Sequence, residues 1–148
     1  MSGKEIPVYG SGMNIRDWIY VEDHCSGIDA VITKGRMGET YLIGARNERT
    51  NLEVIKLILS KLRKSESLIE FVEDRKGHDY RYSLDPSKIE RELGWSPSHP
   101  FDKAIAETID FYRKNSIWKT SKSRPNEFTF VMKALPPCLL FLDGSVAV

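Results

Sequence analysis

Apolar positions change their spacing along the chain, and the changes divide it into short strands and amphipathic helices. Over residues 4–10, Ile6, Val8 and Tyr9 surround Pro7, which predicts a short strand at a sheet edge, because proline has no N–H to give a ladder. Ser11-Gly12-Met13-Asn14 reads as a turn. Residues 15–21, rich in β-branched and aromatic side chains, read as a second strand. Asp23 then suits the N-cap of a helix whose apolar stripe is Cys25, Ile28, Val31 and Ile32, with Gly35 as its stop. Residues 39–43 predict a further strand, and 44–49 a polar connection.

Thr50-Asn51-Leu52-Glu53 is a capping box: the threonine hydroxyl accepts from the backbone at Glu53 while the glutamate reaches back. Val54, Ile55, Leu57, Ile58 and Leu62 extend a helix to about Lys64. Residues 67–73 alternate as a strand and end in the charged turn Asp74-Arg75-Lys76-Gly77-His78. Tyr80, Tyr82 and Leu84 keep a period of two. Asp85-Pro86 then offers an N-cap and an N1 proline for a helix through Leu93, stopped by Gly94. Pro97 and Pro100 punctuate a loop before a last helix with Phe101, Ile105, Ile109 and Tyr112 on one face. Trp118 closes the patterned part. Residues 119–148 keep no period and carry Pro136-Pro137 inside their apolar run, so they read as an irregular tail foreign to the fold. The expected organisation is α/β, with one unit over 1–118 followed by that tail.

The length of 148 residues suits a single core, and 22 basic against 21 acidic residues disfavour a nucleic-acid partner. No apolar run nears the roughly 18 residues of a membrane span, and residues 1–12 lack a secretory apolar stretch. The expectation is a soluble, cytoplasmic protein without a membrane partner. Cys25 and Cys138 lack the spacing of a disulfide framework or zinc site, and His24, His78 and His99 fall on unrelated elements, so no metal is expected. No GxSxG, HExxH, P-loop or EF-hand pattern occurs. Gly35-x-x-Gly38 follows a helix and precedes a predicted strand, the reverse of a dinucleotide-binding turn.

The polar residues best placed for chemistry stand at predicted strand ends: Arg16 after Gly10-Ser11-Gly12, Asn51 beside the capping box, and Arg75 with His78 in a turn. A guanidinium fork suits phosphate, an asparagine reads a hydroxyl or base edge, and backbone amides near glycines complete an anion pocket. Each residue also has a plainer reading. Arg16 could pair with Asp17, Asn51 could support the cap, and Asp74 with His78 could hold the turn.

Three motifs taken together, Pro7 to His24, Asn47-Glu48-Arg49-Thr50-Asn51, and Asp74 to Tyr82, resemble the dTDP-glucose 4,6-dehydratase family, which lies within the extended short-chain dehydrogenase/reductases. Asp85 to Trp95 resembles that family's Asp-x-x-Lys-Ile-x-x-Glu-Leu-Gly-Trp helix, and the likeness runs from about Gly3 to Trp118. It implies the C-terminal substrate-binding lobe of an extended short-chain dehydrogenase/reductase, lacking most of the Rossmann domain. It further implies a dTDP-sugar pocket with Pro7, Val8 and Tyr9 on the nucleobase side, Arg16, Asn51 and Arg75 on the nucleotide and diphosphate, and Asp74 and His78 in the same binding turn. Ser11 departs from the acidic residue more usual there.

In the full-length family NAD takes a hydride from sugar C4, water leaves across C5 and C6, and the hydride returns to C6. The family's Gly-x-x-Gly-x-x-Gly turn and Tyr-x-x-x-Lys pair are absent from this sequence. The resemblance therefore implies a lyase parent, a chain that binds no NAD alone, no catalytic residue among those present, and an N-terminal cofactor lobe or a second copy as partner. Two alternatives remain at this point: a lobe of a UDP-sugar epimerase or decarboxylase, and a non-enzymatic partner of a full-length paralogue.

Overall fold

A computed structural model of the chain describes residues 4–115. The boundary expected at Trp118 and the tail expected over 119–148, with Cys138, lie outside these residues. The elements in chain order are β1 (Ile6–Tyr9), β2 (Ile15–Asp17), α1 (Val21–Lys34), β3 (Glu48–Thr50), α2 (Asn51–Lys61), a 3-10 turn at Glu66–Leu68, β4 (Ile69–Val72), α3 (Ser87–Leu93) and α4 (Phe101–Lys114). β1 pairs in parallel with β4, Ile6 opposite Ile69 and Tyr9 opposite Val72. β2 pairs antiparallel with β3, Arg16 opposite Arg49. Val8 is buried and Pro7 and Tyr9 are exposed, the alternation expected of a strand with one covered face. None of the described helices is long and apolar enough to cross a membrane.

The core lies where α1 meets α3, around Ala30, Tyr41, Ile89, Leu93 and Trp95, with Ile19, Val31 and Ile43 packed against it. Gly27 makes this approach close: a Cβ there would stand 2.9 Å from Ile43 Cγ2 and 3.1 Å from Trp95 Cζ2. The face that α1 buries differs from the stripe predicted for it. Val21, Asp23, His24, Gly27 and Ala30 are buried, while Cys25 and Ile32 are exposed. Small residues, rather than the large ones, mark the contact because Trp95 and Ile43 fill the space against them. Asp23 is likewise not the N-cap, which is Tyr20. Its carboxylate accepts from Ser98 N (3.0 Å), Ser98 Oγ (2.9 Å) and His99 N (3.1 Å), and so ties α1 to the loop before α4.

Four expectations about strands are corrected. The second strand stops at Asp17: Trp18 N still donates to Asn47 O (3.2 Å), but Asn47 N is taken by the Asp17 carboxylate (2.8 Å) instead of closing the ladder, and α1 begins at Val21. Residues 39–43 form no ladder: Tyr41 packs into the helical core instead, its hydroxyl donating to Glu92 Oε2 at 3.1 Å. The strand partner of β2 is the polar Glu48–Thr50, within the segment expected as a connection. Residues 80–84 reduce to a single bridge, Ile15 with Arg81. The capping box forms as expected, Thr50 Oγ1 accepting from Glu53 N at 3.1 Å and the Glu53 carboxylate from Thr50 N at 2.7 Å. Pro86, expected as the first helical residue, is instead the N-cap of α3, and Asp85, expected as the cap, stands one residue before it with its Oδ1 accepting from Ser87 N at 3.0 Å; Gly94 ends α3 with φ of 66° as expected.

Candidate functional site

Parallel pairing brings the ends of β1 and β4 side by side, so the turns that leave them meet. Gly10 N donates to Val72 O at 2.9 Å, and Asp74 stands two residues further on. Gly10 has φ of +55°, and a Cβ on it would lie 2.8 Å from Asp74 Oδ2. Asp74 Oδ1 accepts from Arg75 N (2.9 Å) and stands 2.6 Å from His78 Nδ1, which is the donor because an ionised carboxylate only accepts. The Tyr9 ring meets the His78 ring edge-on with centroids 6.4 Å apart. The His78 hydrogen bond outweighs the opposing effect of burial and, with lesser help from the Arg75 N–H, holds the Asp74 carboxyl below its ordinary range. The turn-holding role of Asp74 and His78 is thus real. Only 6% of the His78 side chain is exposed, whereas Arg75 contributes a backbone N–H to the turn and leaves its side chain exposed.

The chain that continues from this turn receives Arg16. Ile15 N donates to Tyr80 O at 2.8 Å and Tyr82 N to Ile15 O at 3.0 Å, which lays residues 80–82 along β2. The Arg16 guanidinium donates to Ile15 O (2.7 Å) and Asp79 O (3.1 Å) and lies 4.5 Å from the centre of the Tyr82 ring. No pair forms between Arg16 and Asp17. The Asp17 carboxylate is occupied by the N–H groups of Ala45 (3.0 Å), Arg46 (3.3 Å) and Asn47 (2.8 Å). Asn51 opens α2 and donates its backbone N–H to Asn14 O at 3.0 Å; Thr50 and Glu53 make the cap without its side chain. Asn14 Nδ2 in turn donates to Asp79 O at 3.2 Å.

Of the eight residues singled out in the sequence, Tyr9, Asp74 and His78 are therefore in direct contact. Arg16 reaches the same 74–82 segment through Asp79, and Asn51 reaches it through Asn14. Pro7 shares the exposed face of β1 with Tyr9, and Arg75 stands exposed in the turn. Val8 is only 2% exposed, so its side chain belongs to the core and any ligand contact at this position is made by its backbone.

A concavity of about 450 Å³ that the sequence did not disclose lies beyond the end of β2, lined by Trp18, Tyr20, Asn47, Arg49, His99 and Phe101 among others. The Arg49 guanidinium lies 4.5 Å from the Phe101 ring centre, and its Nε donates to Asn47 Oδ1 at 3.2 Å. His99 Nδ1 stands 2.8 Å from Asp23 Oδ1. Burial pushes the Asp23 carboxyl up, but the hydrogen bonds from Ser98 and His99 together outweigh it and hold the group below its ordinary value. The pairing of Arg49 with Arg16 becomes visible only once Glu48–Thr50 is known to be a strand.

A dinucleotide cofactor needs a parallel strand that passes through a glycine turn into a helix N-terminus. Here β1 passes through Gly10-Ser11-Gly12 into β2, a strand. Among the described residues no strand passes through a glycine turn of that kind into a helix, nor is any group of three His, Cys, Asp or Glu side chains placed to hold a metal ion.

Comparison with known proteins accords with this geometry. Residues 1–108 match the family model described as GDP-mannose 4,6 dehydratase. The chain is 51% identical over 120 residues to the dTDP-glucose 4,6-dehydratase of an Actinoplanes species, covering 81% of this chain and 38% of that protein. It is 45% identical over 127 residues to the dTDP-glucose 4,6-dehydratase of Xanthomonas campestris, covering 80% of this chain and 36% of that one. The crystal structure of the Streptomyces venezuelae dTDP-glucose 4,6-dehydratase with NAD bound superposes with a TM-score of 0.76 at 47% identity, over 78% of this chain and 36% of that one. The chain thus spans little more than a third of the length of these relatives, and its α/β elements correspond to part of an extended short-chain dehydrogenase/reductase fold. Motif wording, fold and identity agree over the described residues, and the chain belongs to the GDP-mannose 4,6-dehydratase family.

Proposed function

We propose that residues 1–118 form the sugar-nucleotide-binding lobe of a dTDP-glucose 4,6-dehydratase, and that this chain alone binds a dTDP-sugar without transforming it. Pro7, Tyr9 and the Val8 backbone take the nucleobase side. Arg16, Asn51 and Arg75 hold the nucleotide and its diphosphate, while Asp74 and His78 fix the turn that carries Arg75. One observation carries this reading: the 74–82 segment supplies both the Asp74–His78 pair under Tyr9 and the Asp79 carbonyl that orients Arg16. The high identity to dTDP-glucose 4,6-dehydratases favours a thymidine nucleotide over a uridine one. No residue present is assigned a catalytic role, and the dehydration of dTDP-glucose to its 4-keto-6-deoxy product belongs to the whole enzyme.

Charge-assisted hydrogen bonds contribute about 1.5 to 3 kcal/mol each, so two arginines and an asparagine give roughly 4 to 8 kcal/mol gross before association and ordering costs, which sets millimolar affinity. Saturation-transfer NMR on the purified chain detects binders in that range. The expected outcome is a signal for dTDP-glucose that UDP-glucose displaces poorly and that Arg16→Ala removes, with no 4-keto-6-deoxy product after incubation with NAD. Equal displacement by UDP-glucose would transfer the assignment to a UDP-sugar enzyme, and product formation would refute the inertness of the chain.

A further inference from the structure

One carbonyl brings Arg16 and Tyr82 together. Tyr82 N donates to Ile15 O at 3.0 Å and the Arg16 guanidinium donates to the same oxygen at 2.7 Å, so the Tyr82 ring lies under the guanidinium with its centre 4.5 Å from Arg16 Cζ. The Tyr82 hydroxyl donates to Asp79 Oδ2. Asp79 therefore meets the pair twice: its carbonyl accepts from Arg16 at 3.1 Å, and its carboxylate is bonded to the ring on which Arg16 rests. Other arginines of the chain take a carboxylate directly: Arg36 pairs with Glu92 at 2.6 Å, Arg46 with Glu90 at 2.9 Å, and Arg81, the neighbour of Tyr82, with Glu48 at 2.6 Å. Arg16 is half-buried and makes no ion pair among the described residues. Asp17, beside it in sequence, is filled by the N–H groups of residues 45–47, and Asp79 gives Arg16 its carbonyl but not its charge.

A carboxylate on the residue whose carbonyl already holds Arg16 lies within a side-chain rotation of the guanidinium, and an ion pair formed there would compete with any phosphate brought to the same fork. The Tyr82 hydroxyl opposes that rotation, while the face of its ring stabilises the cation without neutralising it. We infer that Tyr82 is a positioning residue for Arg16: its ring carries the guanidinium and its hydroxyl holds the Asp79 carboxylate away, which keeps the charge and the fork of Arg16 for a phosphoryl group. The inference deepens the function proposed above and rests on it.

The test measures affinity of the full chain for thymidine diphosphate and for thymidine by NMR titration, in the parent and in variants at Arg16, Asp79 and Tyr82. Tyr82→Phe keeps the ring and loses the hydroxyl. It is expected to weaken thymidine diphosphate about fivefold, the scale of one exposed ion pair turned against the ligand, and to leave thymidine unchanged. Adding Asp79→Asn, which removes the competing charge, is expected to bring the diphosphate back to within about twofold of the parent. A merely structural Tyr82 would lower both ligands together, or would stay weakened when Asp79→Asn is added, and either result overturns the inference. So does an unchanged diphosphate affinity in Tyr82→Phe or, should that variant fail to fold, in Tyr82→Leu. On top of Arg16→Gln, Tyr82→Phe is expected to change nothing, because the arginine through which it acts is gone; a further loss of diphosphate there also overturns the inference. If Arg16→Gln itself leaves the diphosphate unchanged, or the parent shows no preference for thymidine diphosphate over thymidine, the function proposed for Arg16 falls and the inference falls with it.

Discussion

Gly10 shows how one missing side chain holds the candidate site together. Its φ of +55° is costly for any L residue, and the volume a Cβ would occupy is taken by the Asp74 carboxylate. That carboxylate cannot swing away without giving up His78 and the Arg75 N–H. Gly10→Ala is therefore expected to destabilise the fold by about 1 to 2 kcal/mol from backbone conformation alone, read by urea unfolding. It should also broaden or shift the His78 ring resonances in NMR, because the bond it disturbs is made by that ring. The arginines teach a complementary lesson. Adjacency in sequence suggested an Arg16–Asp17 pair, yet neighbouring residues on a strand point to opposite faces, so the two side chains find separate partners: carbonyls and a ring for one, a run of three N–H groups for the other.

Among the elements, those whose signal is local were legible and those whose signal is a partner were not. The capping box needs only Thr50 and Glu53, and it formed at those residues. Because Thr50 is also the last residue of β3, opposite Ile15, the cap fixes where the ribbon stops and α2 starts. Thr50→Ala should cost about 1 kcal/mol, measured by thermal or urea unfolding, and Thr50→Ser should recover most of it. β3 itself was hidden because Glu48-Arg49-Thr50 has no apolar alternation; its only reason to be extended is the backbone of β2 beside it. The face of α1 was misread for a related cause. Periodicity favours large apolar residues, but Gly27 and Ala30 make the contact there precisely by being small enough to admit Trp95 and Ile43. The candidate site followed the same rule: Arg16, Asn51 and the 74–78 turn could be picked out from residue type and strand ends, whereas the seat of Arg16 on Tyr82 and the Asp79 carbonyl needed tertiary register.

For the molecule as a whole, pH acts through two separate sets of groups. His24 is 4% exposed with Nδ1 lacking any hydrogen-bond partner among the described residues, and burial pushes its pKa below the ordinary 6.5. The unfolded chain then binds this proton more readily than the folded one, so stability is full above pH 6.5 and declines as pH falls through the lower folded value. His24→Gln should flatten that decline in urea unfolding measured across the range. Asp23 and Asp74, both held below 3.8, add a second loss at still lower pH, when their carboxylates protonate and release His99 and His78. The parallel ladder has a different consequence. Ile6 and Ile69 are partners although 63 positions separate them, so their meeting closes a large loop, whereas the turns of α1 and α2 form from neighbours. In the order of folding the helices come early and β1 is fastened late. Pro7 and Tyr9 ride on that strand, and one rim of the candidate site is therefore assembled only after the scaffold that bears the other has already condensed.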